Sequence, residues 1–184
     1  AEMYISVGKN QLYANQGRVS ANDYAQRARD LFDLDKKLSD HYNGAMSNGK
    51  WKNMMSDIHI GYTSWQMPRA NKLPEMKEVT PLAEPTMGVA IEGSEGAWPG
   101  TQESPQLPVF DIFKEKYYYI DVFNRGAGTF GFEAKASKPW IKLSMNKGNV
   151  EKDVRLMVDV DWKTLPEGKS EGSVEIIKGN EVVS

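Results

Sequence analysis

The sequence predicts an α+β, multidomain chain: an N-terminal α-helical hairpin or partial bundle, then an antiparallel, immunoglobulin-like β-sandwich. Apolar residues recur at helical spacing in the N-terminal part, whereas beyond Pro108 they alternate with polar residues at the period of a strand. A stretch rich in Pro, Gly and Glu separates the two patterns. We therefore expect a helical region at 1–70, a Pro-rich linker at 71–85 and a sandwich-like domain, truncated at its C-terminus, at 86–184.

The first helix is predicted from Met3, Val7, Asn10 and Ala14, which recur at helical spacing. Gly17 is well placed to end this helix in a left-handed conformation, which glycine adopts without steric cost.

A second helix is expected to begin after Ser20, whose hydroxyl would accept a backbone N–H, with Asp23 near the positive end of the helix dipole. Gly44 is a candidate stop. One face of this helix is apolar, at Tyr24, Ala28, Leu31, Phe32, Leu34, Leu38 and Tyr42. Because two helices bury little apolar surface, we expect the hairpin to belong to a larger bundle and to expose an apolar stripe around Leu31, Phe32 and Leu38. Such a stripe favours self-association, for example as a homodimer.

Short strands are predicted where apolar and polar residues alternate or where a brief apolar run occurs. They are expected near 87–91, 118–122, 130–136, 141–145, 154–162 and 174–176. Trp140 and Trp162 hold strand positions and are expected in the sandwich core. A further strand after the Gly179-Asn180 turn would be barely started where the sequence stops.

Composition excludes several classes of function. The 184 residues are 40% hydrophobic, enough for a packed core, and the formal net charge is −2 with both signs interspersed. Nucleic-acid or anionic-membrane binding would need clustered Lys and Arg, so neither partner is expected. The absence of cysteine excludes disulfides and thiolate metal sites. No apolar run approaches the ~20 residues that span a bilayer, and no signal peptide is evident.

Several stretches, in conserved order, resemble the C-terminal portion of glycoside hydrolase family 115, the xylan α-glucuronidases. They are NGKWKNMM (48–55), HIGYTSWQMPR (59–69), MGVAIEGS (87–94), AWPG (97–100), LPVFDIF (107–113) and YIDVFNRG (119–126). In addition, ASKPWIKLS (136–144) with the later glycines is similar to immunoglobulin-like modules of bacterial polysaccharide enzymes.

The resemblance implies a fragment of a longer, periplasmic or extracellular protein that removes (4-O-methyl)glucuronic acid from glucuronoxylan. In that family the catalytic carboxylates belong to an upstream barrel, so this chain is expected to be inactive alone. It would support the barrel as its partner domain and contribute to subunit assembly. No cofactor is implied.

Residue chemistry agrees with an inactive fragment. Glycoside hydrolysis needs two carboxyl groups across a sugar. Those near aromatic residues are Asp111, Glu115, Asp159 and Asp161, and none stands out as half of such a pair. Asp159 and Asp161 are also a weak calcium candidate, with a solvated strand face the better interpretation.

The aromatic tract gives the candidate substrate-binding residues: Tyr62, Trp65 and Arg69, with His59 beside them. Aromatic faces stack on sugars, and a guanidinium pairs with a uronate carboxylate. The favoured interpretation is nevertheless structural: Trp51 and Trp65 would pack between the helices and the sandwich, and Tyr62 would form a hydrogen bond through its hydroxyl. Gly61 and Pro68 would bracket this packed connection with their backbone constraints.

Three further possibilities complete the sequence-based picture. Trp51 and Trp98 share the turn-rich setting of the tract, and their aromatic faces could also stack on sugar rings. His59 is not expected to form a metal site with Asp57, since neighbours in an extended segment point to opposite sides. The rival function is a stand-alone carbohydrate-binding or adhesion module, which would carry a row of exposed aromatics on a sandwich face.

Overall fold

The computed structural model describes residues 1–114 and 116–184, and these fall into two compact units. The first unit comprises Ala1–Ala14 and Ala21–Glu78, and the second comprises Asn15–Ser20 and Val79–Ser184. The predicted linker at 71–85 is therefore divided between the units, and the connection between the two helices belongs to the second unit.

Two helices open the chain, as predicted: α1 (Glu2–Asn15) and α2 (Ala21–Gly44), followed by a one-turn 3₁₀ helix at Met46–Gly49. Gly17 has a φ of +73°, the left-handed conformation expected of it. The cap predicted at Ser20 is wrong, because its buried hydroxyl has no hydrogen-bond partner among the described residues. Ser20 is almost fully buried, and its hydroxyl accepts no N–H group from the described first turn of α2. Within the described ranges, neither helix has the long apolar stretch that crossing a bilayer requires.

The first unit covers part of its helical faces with its own later segment. Buried Met3, Val7, Ala28 and Ile60 form a small core, against which Leu31, Phe32, Leu73 and Met76 pack. The buried Asn10 joins helix and segment: its amide donates to the carbonyl of Lys77 at 2.7 Å, and its side-chain oxygen accepts the Lys77 N–H at 2.9 Å. Of the stripe predicted to be exposed, Leu31 and Phe32 are therefore partly buried, whereas Leu38 is 61% exposed.

The second unit contains two antiparallel four-stranded sheets, with orders β1-β2-β6-β4 and β5-β3-β7-β8. The strands are β1 (Met87–Ile91), β2 (Tyr118–Asn124), β3 (Phe130–Ala136), β4 (Ile141–Leu143), β5 (Lys147–Val150), β6 (Asp153–Val160), β7 (Val174–Lys178) and β8 (Glu181–Val183). One buried cluster includes residues of both sheets, among them Val122, Leu156, Phe132 and Ile176. The predicted β-sandwich is thus confirmed.

The main error in the predicted core concerns which tryptophans are buried. Trp140 and Trp162 are half-buried and lie outside the apolar cluster, so their assignment to the core is wrong. Trp98 is instead 8% exposed and belongs to that cluster. Its backbone N–H and carbonyl both bond to Val89 at 2.8 Å, and its indole N–H donates to the carbonyl of Glu103. These bonds hold Trp98 beside β1, and the burial of its ring excludes stacking on a sugar.

A charged cluster is buried in the second unit. Arg18 Nη1 lies 3.1 Å from carboxylate oxygens of both Asp121 and Asp153. Asp121 also accepts bonds of 2.8 and 3.0 Å from Arg155. The Arg18 and Asp121 side chains are 2% and 6% exposed, and the Arg18 guanidinium lies 4.4 Å from the centre of the Phe123 ring. Arg18 thereby ties residues 15–20 to strands β2 and β6.

Removing the Asp121 carboxylate should destabilise the second unit strongly. Asp121→Ala is expected to lower the free energy of unfolding by about 3–5 kcal/mol, because it leaves a buried guanidinium with incomplete pairing. Urea denaturation provides the measurement. Glu171→Ala is the matched control: its 3.0 Å pair with Lys169 is exposed, and exposed pairs contribute about 0–1 kcal/mol. Equal losses in the two variants would contradict the role assigned to the buried cluster.

Candidate functional site

The predicted aromatic tract forms an exposed loop, residues 62–70, on a fixed base in the first unit. The side-chain oxygen of Asn71 accepts the N–H groups of His59 and Ile60, each at 2.9 Å. The Lys72 N–H donates to the carbonyl of Ile60 at 3.3 Å, which closes the base of the loop. Gly61 has a φ of +95°, and a Cβ there would lie 2.8 Å from the Lys72 carbonyl oxygen. Only glycine fits this position without strain.

The exposed loop presents three of the four predicted substrate-binding residues to solvent. Tyr62 is 45% exposed and donates its hydroxyl to the carbonyl of Ile58 at 3.2 Å, so the expected hydroxyl bond is present. Trp65 is 89% exposed. Arg69 is exposed and forms no ion pair within the part of the chain that the structure describes.

The favoured packing role of Trp65 is therefore wrong. Gly61 and Pro68 were expected to bracket a packed connection. The backbone constraint at Gly61 instead fixes the base of the exposed loop, and it leaves the middle of the loop in solvent. Trp51, the other residue expected to pack, is half-buried, with the Lys50 ammonium 4.9 Å from its ring centre.

His59 lies at the base of the exposed loop rather than on it. Its Nε2 is 2.9 Å from a carboxylate oxygen of Asp35 on α2, and its Nδ1 is 2.9 Å from the carbonyl oxygen of Asp57. Both partners are acceptors, so both ring nitrogens carry a proton when both bonds form. The bond to Asp57, together with the bond and charge of Asp35, raises the pKa of His59 above its usual value despite partial burial. His59 is thus a positioning residue for the base.

Exposed methionines close to the tract were not predicted from the sequence. Met54, Met55 and Met67 are all at least half exposed, and they precede or lie within the exposed loop. Methionine is flexible and polarisable and recurs at adaptable binding surfaces. The local signal was present in the Met-Met pair at 54–55, but burial of methionine is the commoner outcome.

The carboxylates considered for catalysis serve local structure. Asp111 accepts the N–H of Phe113 at 3.0 Å, and Asp159 accepts that of Val160 at 2.8 Å. Desolvation raises the pKa of Asp161, but the hydrogen bond from the Lys163 N–H and the Lys142 ammonium outweigh it, and the pKa lies below its usual value. A catalytic acid needs a raised pKa. Glu115 lies outside the described residues.

Metal binding and a sandwich-borne aromatic platform find no geometric support in the described ranges. Within them, no group of three or more His, Asp or Glu side chains is placed to hold a metal ion. The large aromatics exposed in the second unit's described part are Phe113 and Tyr117. Both precede β2, so neither forms part of a row on a strand face.

Comparison with known proteins assigns no family. No protein-family model matches the chain, and no curated protein shows significant similarity to it.

Protonation of His59 should stabilise the first unit. Because the folded pKa is raised, the stabilisation is fully present below about pH 6.5 and is lost as pH rises through the folded value. The His59 side chain is 43% exposed, so solvent screening limits the effect to roughly 0.2–1 kcal/mol. His59→Gln should cost more stability at about pH 5.5 than at about pH 8.5 in urea denaturation. In an NMR titration, Asp35→Asn should lower the pKa of His59; an unchanged pKa would contradict the pairing.

Proposed function

We propose that this chain is a non-catalytic C-terminal part of a periplasmic or extracellular glycoside hydrolase resembling xylan α-glucuronidases. In this role it supports the catalytic barrel and subunit assembly, and its exposed loop contacts uronic acid side chains of glucuronoxylan. The observation that carries the proposal is the solvent-exposed pair of Trp65 and Arg69 on a loop with a fixed base.

The chemistry of the exposed loop suits a charged sugar. The indole of Trp65 offers an apolar face for stacking on sugar C–H groups. The guanidinium of Arg69 can bind a carboxylate through two parallel hydrogen bonds. Because Asn71, Gly61 and Lys72 already order the base of the loop, binding orders fewer residues and loses less conformational entropy.

The supporting role rests on exposed apolar side chains that the proposed sugar contacts do not use. Leu38 on α2 and Met54, Met55 and Met67 in the following segment are exposed in the first unit. Exposed apolar groups of this kind are typical of surfaces covered by another domain or subunit. The upstream barrel is the partner that the sequence resemblance implies, and a homodimer is the second partner considered.

The exposed loop should bind uronic acid-substituted xylo-oligosaccharides through Trp65 and Arg69. Trp65→Ala should weaken binding about tenfold. Arg69→Ala should weaken binding of the acidic oligosaccharide more than binding of its neutral counterpart. NMR titration or calorimetry provides the measurement. Both variants should unfold within about 0.5 kcal/mol of the parent, as expected of exposed positions.

Phe113→Ala is the matched control, because it removes an aromatic ring that is 93% exposed in the second unit. It should leave binding unchanged. Equal affinities for the parent and the Trp65→Ala variant would refute sugar recognition by the loop. A large loss of stability in Trp65→Ala would instead restore a packing role for the ring.

The isolated chain should release no glucuronic acid from glucuronoxylan. Asp111, Asp159 and Asp161 each bind backbone N–H groups of neighbouring residues, so none is held as a free partner in an acid and base pair. Product chromatography against a heat-inactivated sample is the measurement. Release above that background would sink the supporting role and require a catalytic one.

A further inference from the structure

A groove of about 940 Å³ lies in the second unit, lined by residues between 133 and 147. Strand β3 belongs to one sheet, β4 to the other and β5 to the first again, so the chain crosses twice between the sheets in this segment. Strands β4 and β5 are both edge strands. The groove is therefore built by one contiguous segment at an edge of the sandwich, and we name it the lysine groove.

The lysine groove is strongly cationic. The charged residues that line it are Lys135, Lys138, Lys142, Lys147 and Glu133. Four positive charges and one negative charge give a local balance of +3, whereas the whole chain carries −2. Positive charge concentrated in a groove of an acidic protein attracts anionic ligands to that place.

Two of these lysines form no ion pair, although Glu133 lies opposite Lys147 in the register of β3 and β5. Lys135 lies 4.0 Å from Glu133, and Lys142 lies 3.4 Å from Asp161. The exposed side chains of Lys138 and Lys147 form no ion pair within residues 1–114 and 116–184. Their ammonium groups remain able to bind a ligand anion without first breaking a salt bridge.

The remaining lining residues favour a sugar over a nucleic acid. Ala134, Pro139, Ile141 and Leu143 give the groove apolar surface, which suits the C–H faces of sugar rings. Single-stranded nucleic acid binding relies on aromatic side chains that stack on bases. None of the described residues lining the groove is aromatic.

We infer that the lysine groove binds an acidic polysaccharide, with Lys138 and Lys147 pairing with carboxylates of successive or nearby uronic acid units. This site is independent of the proposed function. It lies in the second unit and uses ammonium groups, whereas the exposed loop belongs to the first unit and uses an indole and a guanidinium.

The experiment measures binding of oligogalacturonate, a carboxylated sugar chain, to the full chain by calorimetry. The variant Lys138→Glu/Lys147→Glu should bind at least about tenfold more weakly, since each ammonium contact becomes a repulsion. Lys138→Gln/Lys147→Gln should show a smaller loss in the same direction. Higher ionic strength should weaken binding to the parent and should weaken it less in the variants.

The matched control is Lys9→Glu/Lys37→Glu, which makes the same change in net charge at exposed positions of the first unit. Its affinity for oligogalacturonate should stay within about twofold of the parent's, because the change in net charge alone has only a small effect on binding. Circular dichroism verifies that each variant is folded. If the groove variants bind like this control, the inference is overturned.

Two further ligands and one loop variant separate the alternatives. The groove variants should not change the affinity for neutral xylo-oligosaccharide. Single-stranded DNA of equal charge should bind more weakly than oligogalacturonate; tighter, groove-dependent binding of DNA would overturn the choice of ligand. In the Trp65→Ala background, which removes the ring of the exposed loop, Lys138→Glu/Lys147→Glu should still weaken oligogalacturonate binding, so failure of the loop proposal and failure of this inference give different results.

Discussion

The second unit depends on a buried guanidinium that comes from a distant part of the chain. Arg18 is nearly inaccessible and contacts two carboxylates, one on each of two neighbouring strands. The segment that carries it is held by further bonds: Val19 N–H to the carbonyl of Asn124, and Gln16 to the carbonyl of Glu95. A buried carboxylate such as Asp121 is tolerable only when paired. Cutting the chain into contiguous helical and sandwich pieces would therefore remove a counter-ion from the sandwich interior.

Local periodicity was sufficient to predict most of the strands, because it depends on residues close in sequence. Strand β6 alternates along most of its length, and its buried residues, Leu156, Val158 and Val160, are all apolar. Strand β5 escaped prediction, since Lys147–Val150 contains Gly148 and ends in a single apolar residue. Gly148 faces the Phe132 ring, where a Cβ would lie 2.8 Å away, so its role depends on a partner strand. Trp98 was misjudged for the same reason: its burial follows from pairing with Val89.

The candidate sites likewise depend on contacts between residues that are distant in sequence, which local patterns do not predict. Composition identified Tyr62, Trp65 and Arg69 as able to bind a charged sugar, but their exposure depends on how the base of the loop closes. That closure uses the side chain of Asn71, eleven or twelve positions from the groups it binds. In the lysine groove, each lysine taken alone has the pattern of a solvated surface residue. Two crossings between sheets bring these lysines to one groove, and no local pattern encodes those crossings.

The two proposed sites would act on a polysaccharide through forces of different range. Ammonium groups attract carboxylates over roughly a Debye length, about 8–10 Å at moderate salt, and tolerate many ligand positions. Stacking on an indole with a bidentate guanidinium contact requires direct contact and a defined orientation. The lysine groove therefore suits capture of a charged polymer, and the exposed loop suits recognition of one substituent.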